Sequence, residues 1–163
     1  MDDIDRNIIQ IIQENSNLTH TEIAKKVNRS QPTVGMRIRR LEKAGILKFQ
    51  AGINLKTADI LLARAEIVTN NPKEIERIVK NCPFMINAFR LSGNSNISVF
   101  IVGFKMSEID NIINCHFRKN HYVENISLDI ILDIINDFVL PFKINIDYCE
   151  ICKKGQCFSN FKE

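Results

Sequence analysis

The chain has 163 residues, 45% hydrophobic and 25% charged, with 22 Lys and Arg against 19 Asp and Glu. This is ordinary globular composition for one large or two small domains, and no apolar run approaches the length that spans a bilayer. The acidic start lacks a charged-then-apolar leader, and five unevenly placed cysteines argue against a disulfide scaffold. We therefore expect a cytoplasmic protein without a membrane partner.

Isoleucines at helical spacing predict a first helix over residues 2–14. Asp2, Asp3 and Asp5 stand near its start, where the helix dipole favours acidic side chains. This helix is expected to pack on a following two-helix unit and complete a three-helix core.

The pattern of capping and apolar residues over residues 19–48 predicts that two-helix unit. Thr19 and Glu22 form a T-x-x-E capping box for the first of the two helices. Ser30 then caps a second helix, in which Pro32 is tolerated within the first turn. Gly45 is expected to end this second helix. Its core-facing stripe is predicted to be Val34, Ile38 and Leu41.

Residues 19–48 also carry eight Lys or Arg against two acids, which is the local basic excess expected of a protein that binds DNA phosphate. Small polar groups at the start of the second helix can reach base edges in the major groove, while later arginines hold phosphate or guanine. The alternative is a solvated basic face on a core helix. The predicted DNA contacts are Ser30, Gln31, Thr33, Arg37, Arg39, Arg40 and Lys48.

A change in hydrophobic period near residue 60 divides the chain. We predict a winged helix-turn-helix domain over residues 1–53, in which residues 46–53 supply a short strand or wing. Residues 54–60 are read as a hinge, residues 61–146 as a ferredoxin-like effector and oligomerisation domain, and residues 147–163 as a cysteine-containing tail.

Beyond the hinge the hydrophobic period changes from 3.6 to 2, which indicates strands alternating with helices. The expected elements are a strand over 61–67, a helix after Asn71, strands over 84–91 and 97–102 joined by the turn 92–96, a helix capped by Ser107 and a strand over 126–134. This βαββαβ order predicts an α+β fold with two helices on one face of an antiparallel sheet.

The opposite face of that sheet is predicted to be too apolar for a monomer, which favours a homodimer or a higher oligomer. The apolar side chains expected on this face are Leu62, Val68, Phe89, Phe100, Val102 and Ile131.

In both domains the order of parts resembles the Lrp/AsnC, or feast/famine, family of transcriptional regulators. The resemblance implies a winged helix-turn-helix followed by a ferredoxin-like effector domain, binding to double-stranded DNA, dimers that assemble into tetramers or octamers, and transcriptional control in bacteria or archaea. It is carried by Asp2, Ile4, Asp5, Ile8, Ile9, Glu22, Ile23, Ala24, Val27, Ser30, Thr33, Val34, Arg37, Ile38, Arg40, Leu41, Glu42, Gly45 and Ile46.

Two departures from that pattern bear on function. Arg29, Gly35 and Met36 replace residues that the family usually makes apolar, small-polar and basic, so its site preference does not transfer. In relatives the turn after the second sheet strand borders a small-molecule pocket and commonly carries acids, which are absent here. The resemblance implies a small-molecule effector such as an amino acid near Gly93, Asn94 and Asn96.

The same two-domain layout occurs in haem-pathway (sirohaem-type) decarboxylases, which need histidines and cations around a tetrapyrrole. The chain has His20, His116 and His121, without a paired acid and base or a phosphate-binding glycine loop. We therefore prefer a regulator to an enzyme and keep the decarboxylase subunit as the alternative.

The tail contains a C-x2-C-x4-C pattern formed by Cys149, Cys152 and Cys157. This spacing suits a zinc knuckle or, as a minority version, an iron–sulfur cluster, with Cys82, Cys115, His116, a partner-chain group or water as a fourth ligand. A thiol–disulfide switch and an inert tail are the alternatives. Metal or redox sensing is thus a hypothesis for this segment.

Overall fold

The computed structural model describes residues 1–141. The predicted three-cysteine site lies outside the described residues. The chain separates into two compact units, Met1–Gln50 and a second unit from Ala51 onward. Within residues 1–141 no helix is both long and apolar enough to cross a membrane.

The first unit is a bundle of the predicted helices α1 (Asp3–Glu14), α2 (His20–Lys26) and α3 (Gln31–Lys43). Each helix turns one apolar stripe inward, because its hydrophobic residues recur at three- and four-residue steps. The bundle is closed by Leu47 after α3. The buried core residues are Ile8, Ile12, Ile23, Ala24, Val34, Ile38, Leu41 and Leu47.

Capping sets the helix ends. The Thr19–Glu22 capping box is confirmed, with the Glu22 carboxylate accepting from the Thr19 backbone N–H at 2.7 Å. Ser30 occupies the N-cap position of α3, as predicted, but its hydroxyl bonds to the Thr33 hydroxyl at 2.8 Å and makes no backbone cap. At the other end Gly45 has φ +69°, which completes a Schellman turn and confirms the predicted stop.

The strand expected over residues 46–53 is not formed except at its last residue. Residues 47–52 have no regular structure, and strand β1 (Ile53–Asn54) pairs with β6 (Val139–Leu140) in the second unit. Within the described residues, no partner strand lies beside residues 47–52, so the wing of the helix-turn-helix is an irregular segment here.

The second unit contains the predicted βαββαβ arrangement, so the α+β class is confirmed. The elements are β2 (Leu61–Thr69), α4 (Pro72–Asn81), β3 (Met85–Arg90), β4 (Ile97–Gly103), α5 (Met106–Ile113) continued by a π-helical turn (Asn114–Arg118), and β5 (Val123–Ile131). The sheet has the antiparallel order β3-β4-β2-β5, with the first and third strands of the repeat in adjacent central positions.

One face of the sheet packs on the helices. Ile75 and Ile78 from α4 and Ile112 from α5 are buried with Phe117 against strand residues such as Val99. These positions match the apolar spacing of the two predicted helices. The cap of α5 differs from the prediction, because Glu108, and not Ser107, accepts the backbone N–H groups of Phe104 and Lys105.

The other face is less bare than predicted, because the β1–β6 ribbon and its neighbouring loops cover part of it. Leu62 and Val102, expected on an open surface, are buried with Leu55. Leu55 comes from the predicted hinge over residues 54–60, and Ile60 of the same segment is partly buried against this cluster. The hinge itself stays a prediction. Strand β5 ends at Ile131, which leaves residues 132–138 to run back across this face.

Candidate nucleic-acid interface

A short turn between α2 and α3 brings the two helices into a helix-turn-helix. Asn28 takes a positive φ of 50°, a conformation that asparagine tolerates better than most residues. The backbone N–H of Arg29 then donates to the Ala24 carbonyl at 3.0 Å and closes the end of α2. The turn thus starts α3 in a new direction directly after α2.

The inner side of α3 also approaches α2 through a glycine. A Cβ added at Gly35 would lie 3.2 Å from Nδ1 of His20, and Gly35 is buried. A larger residue there would require the His20 ring to shift by a few tenths of an ångström. His20 is half-buried and packs against α3 at this position.

The outer side of α3 carries the exposed polar and cationic side chains. Ser30, Gln31 and Arg39 are exposed and Thr33 is half-buried, while Lys48 is exposed just beyond the helix. Within residues 1–141, Arg39 and Lys48 form no ion pair, so their charges face solvent. These five predicted contacts are accessible to a ligand that covers α3.

Two of the predicted contacts, Arg37 and Arg40, are joined to aspartates of α1. Nη1 of Arg37 lies 2.7 Å from Oδ2 of Asp2 and 2.8 Å from Oδ1 of Asp5. Nη2 of Arg40 lies 2.6 Å from Oδ2 of Asp5. Asp5 itself is 0% exposed, so a fully buried carboxylate receives both guanidinium groups.

The two arginines differ in how much of the guanidinium remains accessible to a ligand. The Arg37 side chain is 19% exposed and its guanidinium is shared between two carboxylates, whereas the Arg40 side chain is 62% exposed. Docking α1 on α3 thus places two acids beside Arg37, whose contact with DNA stays a prediction. Arg40 remains open to a second partner.

The Asp2–Asp5–Arg37–Arg40 network shifts the acidity of its carboxyl groups. The Asp5 backbone N–H and the Arg37 guanidinium lower the pKa of Asp2 from 3.8 to about 2. Burial raises the pKa of Asp5, but bonds from Arg37 and the Asp2 N–H and the charge of Arg40 outweigh it, and the net pKa is lowered. Both groups are therefore held ionised.

Sequence reasoning missed the network because Asp5 was assigned only to the helix dipole. A signal was present, since Asp5, Ile8 and Ile12 lie at i, i+3 and i+7 and share one face of α1. A charged residue on an apolar stripe indicates a buried ion pair. Lys43, exposed on the same side of α3 as Arg39, was also omitted from the predicted contacts.

The predicted effector residues lie in the turn between β3 and β4. Gly93 and Asn94 are exposed, and a Cβ at Gly93 would meet nothing within 4 Å. The Asn96 side chain accepts from the Thr69 N–H at 3.0 Å and donates to the Thr69 carbonyl at 2.7 Å. Asn96 therefore fastens the turn to β2, a structural use that the sequence did not suggest.

Two cysteines lie within residues 1–141. Cys82 is buried in the core at the end of α4, and Cys115 is half-buried in the π-helical turn. In the same residues no group of three or more His, Cys, Asp or Glu side chains is arranged to hold a metal ion. A role for Cys115 or His116 as a fourth ligand of the tail stays a prediction.

These features define a helix-turn-helix protein of the DNA-binding class. A family described as winged helix-turn-helix DNA-binding matches residues 1–48. An uncharacterised HTH-type transcriptional regulator of Pyrococcus furiosus is 30% identical over 141 residues, covering 84% of this chain and 95% of the relative. The chain belongs to the Lrp/AsnC family of transcriptional regulators.

Other similarities agree with this assignment. A second uncharacterised HTH-type transcriptional regulator, from Pyrococcus horikoshii, is 32% identical over 81 residues, which span 49% of this chain and about half (51%) of that relative. The structure of AsnC from E. coli superposes with a TM-score of 0.71 at 16% identity, covering 83% of this chain and 95% of AsnC. A Neisseria meningitidis transcriptional regulator in complex with L-Met gives a TM-score of 0.71 at 23% identity, covering 86% and 96%.

Proposed function

We propose that the protein regulates transcription by inserting α3 into the major groove of a specific double-stranded DNA site. The observation that carries the proposal is the outward side of α3, where Arg39 and Lys43 are exposed and, among the described residues, unpaired with acids. Exposed cations on the second helix of a helix-turn-helix can bind the phosphates beside the groove that this helix enters. A DNA-binding regulator acts where the chromosome is, so we place it in the cytoplasm.

The exposed residues divide into two groups by reach and charge. Arg39, Lys43 and Lys48 contact phosphates, since they are exposed and, among the described residues, unpaired with acids. Arg40 adds a phosphate contact, because its side chain is 62% exposed despite its bond to Asp5. Gln31 and Thr33, in the first turn of α3, contact base edges. Ser30, next to them, contacts the DNA backbone. Arg37 acts as a positioning residue that holds α3 against α1.

Binding is tested with duplexes selected from a random pool, followed by titration at several salt concentrations. Arg39→Ala should weaken binding to every duplex and flatten the salt dependence by about one unit, because one phosphate contact is lost. Gln31→Ala should change sequence preference more than total affinity. Lys80→Ala removes an exposed cation from α4 and is the matched control.

Equal salt slopes for the wild type and Arg39→Ala would contradict this use of α3. Arg40→Ala is also expected to lower affinity and salt slope, but it removes a partner of Asp5 as well. Arg39 therefore gives the cleaner measurement.

We propose that the second unit forms a homodimer and then a higher oligomer, so that two copies of α3 read a two-fold operator. Support comes from apolar side chains still exposed beside the covered part of the sheet. Leu132 is 93% exposed, and Phe89, Ile135 and Val139 are exposed as well. Sedimentation at two protein concentrations tests this, and a particle that stays monomeric would contradict it.

We propose a small-molecule effector, such as an amino acid, that binds near Gly93 and Asn94. Support comes from their exposure at the β3–β4 turn and from the L-Met complex of the Neisseria meningitidis regulator. Thermal shifts with each of the common amino acids test binding. A shift unchanged by Asn94→Ala would place the ligand elsewhere.

A metal or redox role for Cys149, Cys152 and Cys157 remains a proposal that rests on their spacing. Elemental analysis of the purified protein should find zinc, or iron with a coloured protein, and Cys149→Ser should lose the metal. The proposal would be contradicted if the purified protein contained no metal and its operator affinity did not change with either a chelator or an oxidant.

The decarboxylase alternative is not favoured, since the relatives are described as transcriptional regulators. A shift in haem absorbance on mixing haem with the protein would revive it.

A further inference from the structure

The residue at the centre of the outward side of α3 is a methionine. With about 100° between successive residues, Met36 lies nearly opposite the buried stripe of the helix. Pro32, Arg39 and Lys43 fall within about 60° of one another on the same side as Met36. Met36 is 66% exposed, so it contributes little to the core of the first unit.

The neighbours of Met36 give this side a gradient from apolar to cationic. Pro32 and Met36 occupy the first two turns, and Arg39 and Lys43 follow in the last two. Met36 shares a groove of about 480 Å³ with Gln31 and Arg39. In a helix-turn-helix the first turns of the second helix face base edges, so an apolar group is presented where bases are read.

The Asp2–Asp5–Arg37–Arg40 network strengthens this arrangement. Arg37 follows Met36 in sequence, but its guanidinium is bound by Asp2 and Asp5 on the α1 side of the helix. The cation nearest to Met36 in sequence is therefore held away from the groove. Met36 then presents its uncharged thioether in the groove, while Arg39 and Arg40 line the same groove one turn further along α3.

We propose that Met36 is a specificity-determining residue that packs against the 5-methyl group of thymine in the major groove. Thymine is the base of DNA whose major-groove edge carries a methyl group, and apolar side chains recognise it by contact. The flexible thioether adapts its shape to such a surface. This inference rests on the proposed function, in which α3 enters the major groove.

The test replaces thymine by deoxyuridine, which lacks only the methyl group. In the selected operator duplex each thymine is substituted in turn, and binding is measured by fluorescence anisotropy. The wild type should bind about fourfold more weakly when a contacted methyl is removed. Met36→Ala should bind the thymine and deoxyuridine duplexes equally, and Met36→Leu should keep the difference.

Met106→Ala is the matched control, since Met106 is an exposed methionine of α5 in the second unit. It should retain the wild-type preference for thymine. Alanine is a better helix former than methionine, so Met36→Ala is expected to fold.

Two results would overturn the proposal while leaving the proposed function intact. One is sequence-specific binding in which no thymine position responds to deoxyuridine. The other is a deoxyuridine effect of the same size in the wild type and in Met36→Ala, which would show that DNA stiffness or another residue reads the methyl group. Absence of sequence-specific binding to any duplex would overturn both.

Discussion

Replacing Asp5 by asparagine tests whether the Asp2–Asp5–Arg37–Arg40 network stabilises the first unit. The change keeps the volume but removes a charge that is 0% exposed and that accepts from Arg37 at 2.8 Å and Arg40 at 2.6 Å. Hydrogen bonds to charged groups contribute about 1.5–3 kcal/mol each. Arg40 is mostly hydrated and Arg37 keeps Asp2, so we expect a net loss of about 2–3 kcal/mol.

The free energy of unfolding is measured by circular dichroism at 222 nm in urea, because the chain has no tryptophan to serve as a fluorescent probe. Asp3→Asn is the matched control, since it removes the same charge from the same helical turn. Within residues 1–141 Asp3 pairs only with Arg6, at the exposed surface and 3.3 Å apart, so the loss of its charge should cost less than about 1 kcal/mol. Equal effects of the two substitutions would refute the buried-network reasoning.

Three further predictions concern stability. The pKa values of Asp2 and Asp5 are lower in the folded than in the unfolded chain, so their contribution to the free energy of unfolding is complete above about pH 4. This contribution should be lost as the pH falls towards 2, which an acid titration followed by helix content measures. Gly45→Ala should cost about 1–2 kcal/mol because its φ of +69° disfavours a side chain, whereas Gly93→Ala, with open space around it, should change the unfolding free energy by less than about 0.5 kcal/mol. Gly52→Ala should destabilise the β1–β6 pair by about 1–3 kcal/mol, because the Cβ of the new alanine would lie 2.7 Å from a backbone carbon of β6. Faster amide hydrogen exchange in β1 and at the residue after it would show this loss.

Features that depend on neighbours within one or two turns could be predicted from the sequence. Short local sequence patterns predict the capping box at Thr19 and Glu22 and the helix end at Gly45, and the structure contains both. The βαββαβ order follows in the same way from the change in hydrophobic period near residue 60. Ser107 shows the limit of such patterns, because a serine near a helix start was preferred to Glu108, whose carboxylate makes the contacts.

Two other predictions were met only in part, because their outcome depended on distant parts of the chain. The open sheet face around Leu62 and Val102 was inferred without knowing that residues 132–140 return across it. The short strand or wing over residues 46–53 was inferred from alternating and aromatic character. A strand also needs a partner, and the partner of Ile53 is Leu140.

The sequence by itself determined the helix-turn-helix, the α+β class and the side of α3 that faces away from the core, because these follow from periodicity and capping. The tertiary structure decided which cations on that helix are available. Arg37 and Arg40 look alike along the chain, but Asp5 lies 32 and 35 residues before them. Only the packing of α1 on α3 brings that carboxylate between them, and a buried charge binds the groups that folding places within reach.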